Sequence, residues 1–258
     1  MLAHHFAYGP LTPALAYSMS FIGSLLGLQC TSRARAILEP GRRAWWLAGG
    51  ALAIGGTGIW VMHFIAMLGF SIPGVRINYD VPLTLFSALL AVLVVGIGLV
   101  IVGFSSGGWK PVLLGGVFAG GGVAVMHYTG MAAMHAGASL SYDRGLVALS
   151  LLIAVVAATA ALWFTLRVRG LPATVGAALV MGVAVTGMHY TGMAALHVGA
   201  AMTPRPGGVG AENLIVPLVI GVSLVTALLL VLVGGSASET ERIEEAGFEE
   251  RVQRLLNG

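Results

Sequence analysis

The chain has 258 residues, 57% of them hydrophobic and only 9% charged, with a mean hydropathy of +0.93. Soluble domains carry about 25% charged residues. Thirteen Lys and Arg with ten Asp and Glu cannot cover a soluble globule of this size, which excludes a soluble enzyme, a disordered chain and a nucleic-acid binder. One cysteine, Cys30, excludes an intramolecular disulfide and a thiolate cluster. Any metal ligands must therefore be His, Met, Tyr or carboxylate.

A bilayer core about 30 Å thick needs about 20 apolar residues per helix. In chain order, seven stretches qualify, roughly 11–30, 44–70, 82–104, 112–136, 145–166, 172–200 and 214–233, and none contains Asp, Glu, Lys or Arg. Pro and Gly punctuate the breaks, as in Glu39-Pro40-Gly41, Ile72-Pro73-Gly74 and Gly170-Leu171-Pro172. Connections one, three and five carry Arg33, Arg35, Arg42, Arg43, Lys110, Arg167 and Arg169, against Arg76, Arg144 and Arg205 on the other side. The positive-inside bias then puts the amino terminus outside and the carboxyl terminus in the cytoplasm. No basic segment precedes the first span and an Arg cluster follows it, so it reads as an anchored helix rather than a cleaved signal peptide. The fold class is all-α: a polytopic protein of the bacterial cytoplasmic (inner) membrane with seven transmembrane helices.

Three segments repeat: Met62-His63-Phe64-Ile65-Ala66-Met67, Met126-His127-Tyr128-Thr129-Gly130-Met131 and Met188-His189-Tyr190-Thr191-Gly192-Met193. Their histidines are 64 and 62 positions apart, which is two spans with their connections. Spans one to six are thus three parallel two-helix repeats, at about 10–70, 80–136 and 145–200, followed by a seventh helix at 214–233. Residues 1–233 form one membrane domain, and 234–258 a cytoplasmic helical tail. The His-bearing spans hold 17 Gly and the other four hold seven. Glycine in a membrane helix favours close approach, as at Gly116-xxx-Gly120, so the even spans are expected to be inner helices pressed around an axis.

At about 1.5 Å rise per residue the three histidines fall at similar depth in the outer half of the membrane. Met67, Met131 and Met193 follow one turn later on the same face. An imidazole and a thioether from each helix suit copper, since thioether selects Cu(I) among the metals imidazole accepts. The expected metal ligands are His63, His127, His189, Met67, Met131 and Met193. Tyr128, Tyr190, Thr129 and Thr191 are candidates to orient the imidazoles. Met62, Met126 and Met188 sit at the edge of the same face. His135 and His197 would form a second, shallower site, with His4 or His5 supplying a missing ligand. Tyr79-Asp80 and Tyr142-Asp143 recur before spans three and five and read as helix caps.

Met126-His127-Tyr128-Thr129 and Met188-His189-Tyr190-Thr191 are literal copies of the signature of the MHYT domain, and Trp60-x-Met62-His63-Phe64 resembles its variant first repeat. The chain is therefore identified as resembling that family of bacterial integral-membrane sensor domains over about residues 10–235. The resemblance implies a sensor of oxygen, carbon monoxide or nitric oxide, or of redox state, with copper bound through the motif Met and His residues. It also implies signalling to a cytoplasmic partner, here through 236–257. No stretch of the chain reads as a catalytic output domain, so the expectation is a sensor and not an enzyme. The tail's Ser236-x-x-Glu239 and its Ile243, Phe248, Val252 and Leu255 suit either a helix leading into a signalling coiled coil or a short solvated helix. The alternatives are a copper- or haem-dependent membrane redox protein, or a metal transporter. The lipid bilayer and a gas ligand are the expected partners, with no nucleic acid.

Overall fold

The computed structural model describes residues 6–105, 107–201 and 207–236. Among the described residues, seven helices are long and apolar enough to cross a membrane: α1 (Leu11–Arg35), α2 (Pro40–Leu68), α3 (Val81–Gly103), α4 (Trp109–Ala132), α5 (Arg144–Arg167), α6 (Leu171–Ala194) and α7 (Ala211–Gly234). They match the seven spans of the sequence one for one. Five short strands sit in the connections at one end of the bundle: β1 (Ile77–Tyr79), β2 (Met134–Ala136), β3 (Ala138–Tyr142), β4 (Leu196–Ala201) and β5 (Val209–Gly210). The tail from 237 to 258, and His4 and His5, lie outside the described residues.

Side chains written into the connections start the helices. Asp80 Oδ1 accepts from Leu83 N at 2.8 Å and Asp143 Oδ1 from Leu146 N at 2.8 Å, satisfying donors that a helix start leaves open. Both aspartates are therefore the caps expected of the Tyr-Asp pairs. Glu39 caps α2 in the same way, accepting from Gly41 N at 2.8 Å and Arg42 N at 2.6 Å. Those backbone donors hold its carboxyl below the usual carboxylate range.

Two spans end earlier than the composition implies. The fourth and sixth were expected to run to 136 and 200, but α4 stops at Ala132 and α6 at Ala194, and the chain continues as β2 and β4. β2 pairs antiparallel with β1, and β4 with β3. A short apolar run after a helix fits either state, and strand pairing decides it by satisfying the backbone at the helix end. A three-fold pattern follows. Asp80 N donates to Ala133 O, Asp143 N to Ala195 O and Ala7 N to Gly69 O, each at 2.9 Å. Each acceptor lies six residues after a motif histidine, so every hairpin is tied at the same point.

The first six helices form a closed ring in which each packs on the next and α6 returns to α1. This corrects the expectation of three inner and three outer helices. Several glycines of the even helices face their odd neighbours. A Cβ on Gly55 would lie 2.6 Å from the Ala91 carbonyl oxygen on α3, and one on Gly120 would lie 2.5 Å from Val155 Cα on α5. Gly116-xxx-Gly120 is thus half of the α4–α5 seam, because Gly116 abuts Thr159 of α5. The even helices meet at the histidine layer. At the opposite end the odd helices α1 and α5 are tied instead, with Arg35 donating to the Thr165 and Val168 carbonyls.

Within α2, Leu52–Val61 winds as a π-helix that ends just before Met62. Such segments are rare and gather at functional sites. The seventh helix stands outside the ring against α1 and α2. It is fastened at both ends. β5 pairs with β1 through Asn78↔Gly210 and Tyr79↔Val209. At the other end Arg33 Nη2 donates to Val233 O at 2.6 Å and Arg33 Nε to Ser236 Oγ at 2.8 Å. Arg33 also stacks over Trp46 at 5.6 Å.

Candidate metal centre

His63, His127 and His189 each lie five residues before the end of their helices, at Leu68, Ala132 and Ala194, so the repeat places them in one layer. All three are buried, with exposures of 1%, 1% and 0%. Their rings turn inward and meet. Nδ1 of His63 is 3.0 Å from Nδ1 of His189 and 3.1 Å from Nδ1 of His127. The three rings stand nearly edge to face, with centroids 4.9–5.0 Å apart. Among the described residues they form the one group of three or more His, Cys, Asp or Glu able to share an ion, with ligand atoms within 4.8 Å of one another.

Glycine makes this approach possible. A Cβ on Gly130 would collide with His63 Nε2, and one on Gly192 with His127 Nε2. The His63 and His127 imidazoles therefore lie against the residue three after the histidine of the next histidine-bearing helix. The first motif has Ala66 at that position. The sequence reading missed the role of Gly130 and Gly192, although both stand in the repeated motifs. Among the described residues, Nε2 of His63 and of His127 has no hydrogen-bond partner.

Converging nitrogens of this kind fit a small cation. Neutral imidazoles bonded to one another place at most one proton between each pair of nitrogens, and His63 Nδ1 faces two neighbours. An ion at their centre accepts every lone pair at once. Metal–imidazole bonds of about 2.0 Å imply ligand nitrogens roughly 3.3–3.5 Å apart, a small expansion from the spacing seen.

Met67, Met131 and Met193 are buried together in one apolar cluster with Phe64, Tyr79 and Met134. Met62, Met126 and Met188 are also buried but divide between two other clusters, Met62 beside Ala16 and Ala66 and the other two in the main core. The structure thus gathers the three methionines that follow the histidines, not the three that precede them.

Two of the four hydroxyls expected to orient the imidazoles, those of Tyr128 and Thr191, are engaged elsewhere. Tyr128 Oη bonds Ser150 Oγ at 2.7 Å, and Ser150 in turn donates to Val147 O. Thr191 Oγ1 donates to Gly187 O on its own helix. Tyr190 Oη has no hydrogen-bond partner among the described residues, and Thr129 is half-buried. The tyrosines contribute through their rings. Tyr128 packs on Tyr142 at 5.8 Å, Phe64 on Tyr79 at 5.3 Å and Tyr190 on Phe6 at 5.6 Å. The residue after each motif histidine thus meets an aromatic that leads into the next odd helix. Phe6 is the third member of that set, and the sequence reading missed it because Ala7 replaces the aspartate that marks the other two. Burial pushes the Tyr79 and Tyr142 phenols above their usual range, so both stay neutral.

His135 and His197 lie on two different sheets, and His4 and His5 lie outside the described residues. His135 pairs with Asn78 on one sheet and His197 with Ser141 on another, because the chain leaves both helices before reaching them.

The family MHYT, described as a bacterial signalling protein N terminal repeat, matches three times, over residues 56–116, 120–178 and 182–242. The chain belongs to this family. Each match begins inside a histidine-bearing helix, half a hairpin out of phase with the hairpins tied at Gly69, Ala133 and Ala195. Among curated relatives, the bifunctional diguanylate cyclase/cyclic di-GMP phosphodiesterase MucR of Pseudomonas aeruginosa is 39% identical over 97% of this chain and 37% of its own length. The cyclic di-GMP phosphodiesterase NbdA of the same organism is 35% identical over 97% of this chain and 32% of its own length. An uncharacterized signaling protein of Caulobacter vibrioides is 31% identical over 94% of this chain and 29% of its own length. The chain thus spans about a third of the length of these relatives. No solved structure matches it. Its seven membrane-crossing helices and its family make it a multi-pass protein of the bacterial inner membrane and a signalling sensor domain.

Proposed function

We propose that His63, His127 and His189 hold a copper ion, with a thioether from Met67, Met131 or Met193 as a further ligand, and that this centre senses a diatomic gas or redox state in the outer half of the bilayer. The observation that carries the reading is the meeting of three buried imidazoles, with His63 Nδ1 3.0–3.1 Å from the other two Nδ1 atoms and no carboxylate or thiolate in the group among the described residues. That donor set suits copper over structural zinc or a carboxylate-bridged iron pair. Bound copper would supply a centre able to take a diatomic ligand. The same spacing speaks against haem, since a macrocycle needs a slot between its axial imidazoles and these rings touch.

The chain's own residues give the centre its setting and its output. Met67, Met131, Met193 and Phe64 exclude water from the layer above the triad. Phe64, the neighbour of His63, packs on Tyr79, and Tyr79 is in β1, which pairs with β5 at the start of α7. Displacement of His63 therefore reaches the seventh helix through packed groups, and Arg33 holds the far end of that helix. Such a route transmits a signal when the ligand favours one of two packings. MucR and NbdA are named as enzymes of cyclic di-GMP. In the proposed reading, this module reports through 236–257 to a cytoplasmic signalling partner of that kind, and has no catalysis of its own.

The test is to load the purified protein with Cu(I) anaerobically and add carbon monoxide under infrared observation. A copper-dependent carbonyl band, absent from the His63→Ala/His127→Ala/His189→Ala variant, is expected. A band of equal strength in that variant would place the copper elsewhere.

A further inference from the structure

Below the histidine layer the ring of helices does not close completely. A narrow cavity of about 50 Å³ remains on the axis, bounded by α2 to α6. Its upper wall is built by the repeat. Ile59, Val123 and Val185 each stand four residues before a motif histidine, one helical turn beneath it, and Met188 adjoins His189. Its side wall is α5, where Ala157, Ala158 and Ala161 line the space and are partly exposed on the bundle surface. Thr165 is the one polar side chain in the lining, and its hydroxyl is spent on the Leu162 carbonyl at 2.7 Å. Beneath it, Arg35 bonds the Thr165 and Val168 carbonyls and ties α1 to α5 there.

We propose that this cavity is a binding chamber for small apolar gas molecules, filled sideways from the bilayer past Ala157, Ala158 and Ala161 and opening onto the histidine triad. Its role as an antechamber rests on the gas-sensing reading above, while its capacity to bind gas does not. Size and chemistry select the occupant. A water-sized probe fills roughly 10–15 Å³, so the space holds roughly three to five such probes, which suits a diatomic gas and excludes an acyl chain or a ring. The walls offer no hydrogen bond to keep water in, and apolar cavities of this kind stay dry and take up xenon. Oxygen, carbon monoxide and nitric oxide all dissolve well in acyl chains, so a ligand arriving through α5 reaches the triad without crossing the water-facing strands.

Xenon tests the chamber independently of any metal. The protein in nanodiscs is titrated with xenon and followed by xenon-129 NMR. The unaltered chain is expected to show one saturable site. Ala158→Leu should abolish it, and Val185→Ala, which enlarges the space, should strengthen it several-fold. Absence of saturable xenon binding in the unaltered chain, or unchanged binding in both variants, would overturn the proposal. In the copper-loaded protein, Ala158→Leu should also slow carbon monoxide association at least tenfold without changing copper content. An unchanged rate would overturn the antechamber role. If the loaded protein takes up no carbon monoxide but xenon binds as described, the sensing reading fails and the chamber stands.

Discussion

Gly130 and Gly192 matter to the triad as directly as the imidazoles do. Each leaves the space into which Nε2 of the preceding helix's histidine fits, and a methyl group there would displace the ring. Groups that position metal ligands typically change affinity 10–100-fold when altered. Gly192→Ala is therefore expected to weaken copper binding by about that factor. Gly187→Ala, on the same helix with open space beyond it, should not. Equal affinities in a competition titration with a copper chelator would show that the glycine seat is unimportant. The histidines themselves were legible from their spacing alone, because 64 and 62 residues return the chain to the same depth. Their inward-turned Nδ1 atoms were not, since ring orientation depends on the neighbouring helix. The bonding of the Tyr128 and Thr191 hydroxyls away from the imidazoles was hidden for the same reason. A motif gives the order of side chains along one helix, and Ser150, which takes up the Tyr128 hydroxyl, comes from another.

Among the helices, α7 differs from the rest. The ring helices are held along their lengths, whereas α7 is fastened mainly at its ends, by the β1–β5 pairing and by Arg33. Wide apolar grooves of about 400 and 640 Å³ flank it on the α2–α3 side and the α1 side. This suits a helix that must shift relative to the ring. Arg33→Met removes the hydrogen bonds to Val233 and Ser236 and keeps the apolar stem. A bond to a charged group contributes about 1.5–3 kcal/mol, so amide exchange over Val233 to Ser236 should rise at least about tenfold. Exchange in α4 and copper content should not change. A uniform rise across the protein would mean that Arg33 supports the whole ring. The seven helices and their repeat could be read from the sequence because apolar length and motif spacing are properties of single segments. The ends of α4 and α6 could not, since partners distant in sequence, β1 and β3, turn those residues into strands. The π-helical stretch of α2 was equally hidden. Its Gly55-Gly56-Thr57-Gly58 run only marks a weak helix.

Taken whole, the molecule is a ring with polar chemistry confined to one layer. Composition already required this, because the spans contain no carboxylate or amine and leave histidine as their main polar group. The packing adds that the layer is closed above by methionine and aromatic side chains, with an apolar cavity one helical turn below it, behind Ile59, Val123 and Val185. The order of helices around the ring was not legible, since glycine content shows that a helix is approached closely but not by which neighbour. The seams of α4 with α5, of α2 with α3 and of α1 with α2 use some of those glycines, and the histidine layer uses Gly130 and Gly192. Apart from the cavity's capacity to hold gas, every functional step depends on one claim, that the three imidazoles bind a metal ion together. Copper content by elemental mass spectrometry, compared between the unaltered chain and His127→Ala after equal anaerobic loading, tests it most directly. The account predicts a single copper per unaltered chain and near-complete loss in the variant, because two remaining imidazoles no longer enclose the ion. Copper retained at full stoichiometry by His127→Ala, with the protein still folded, would contradict it.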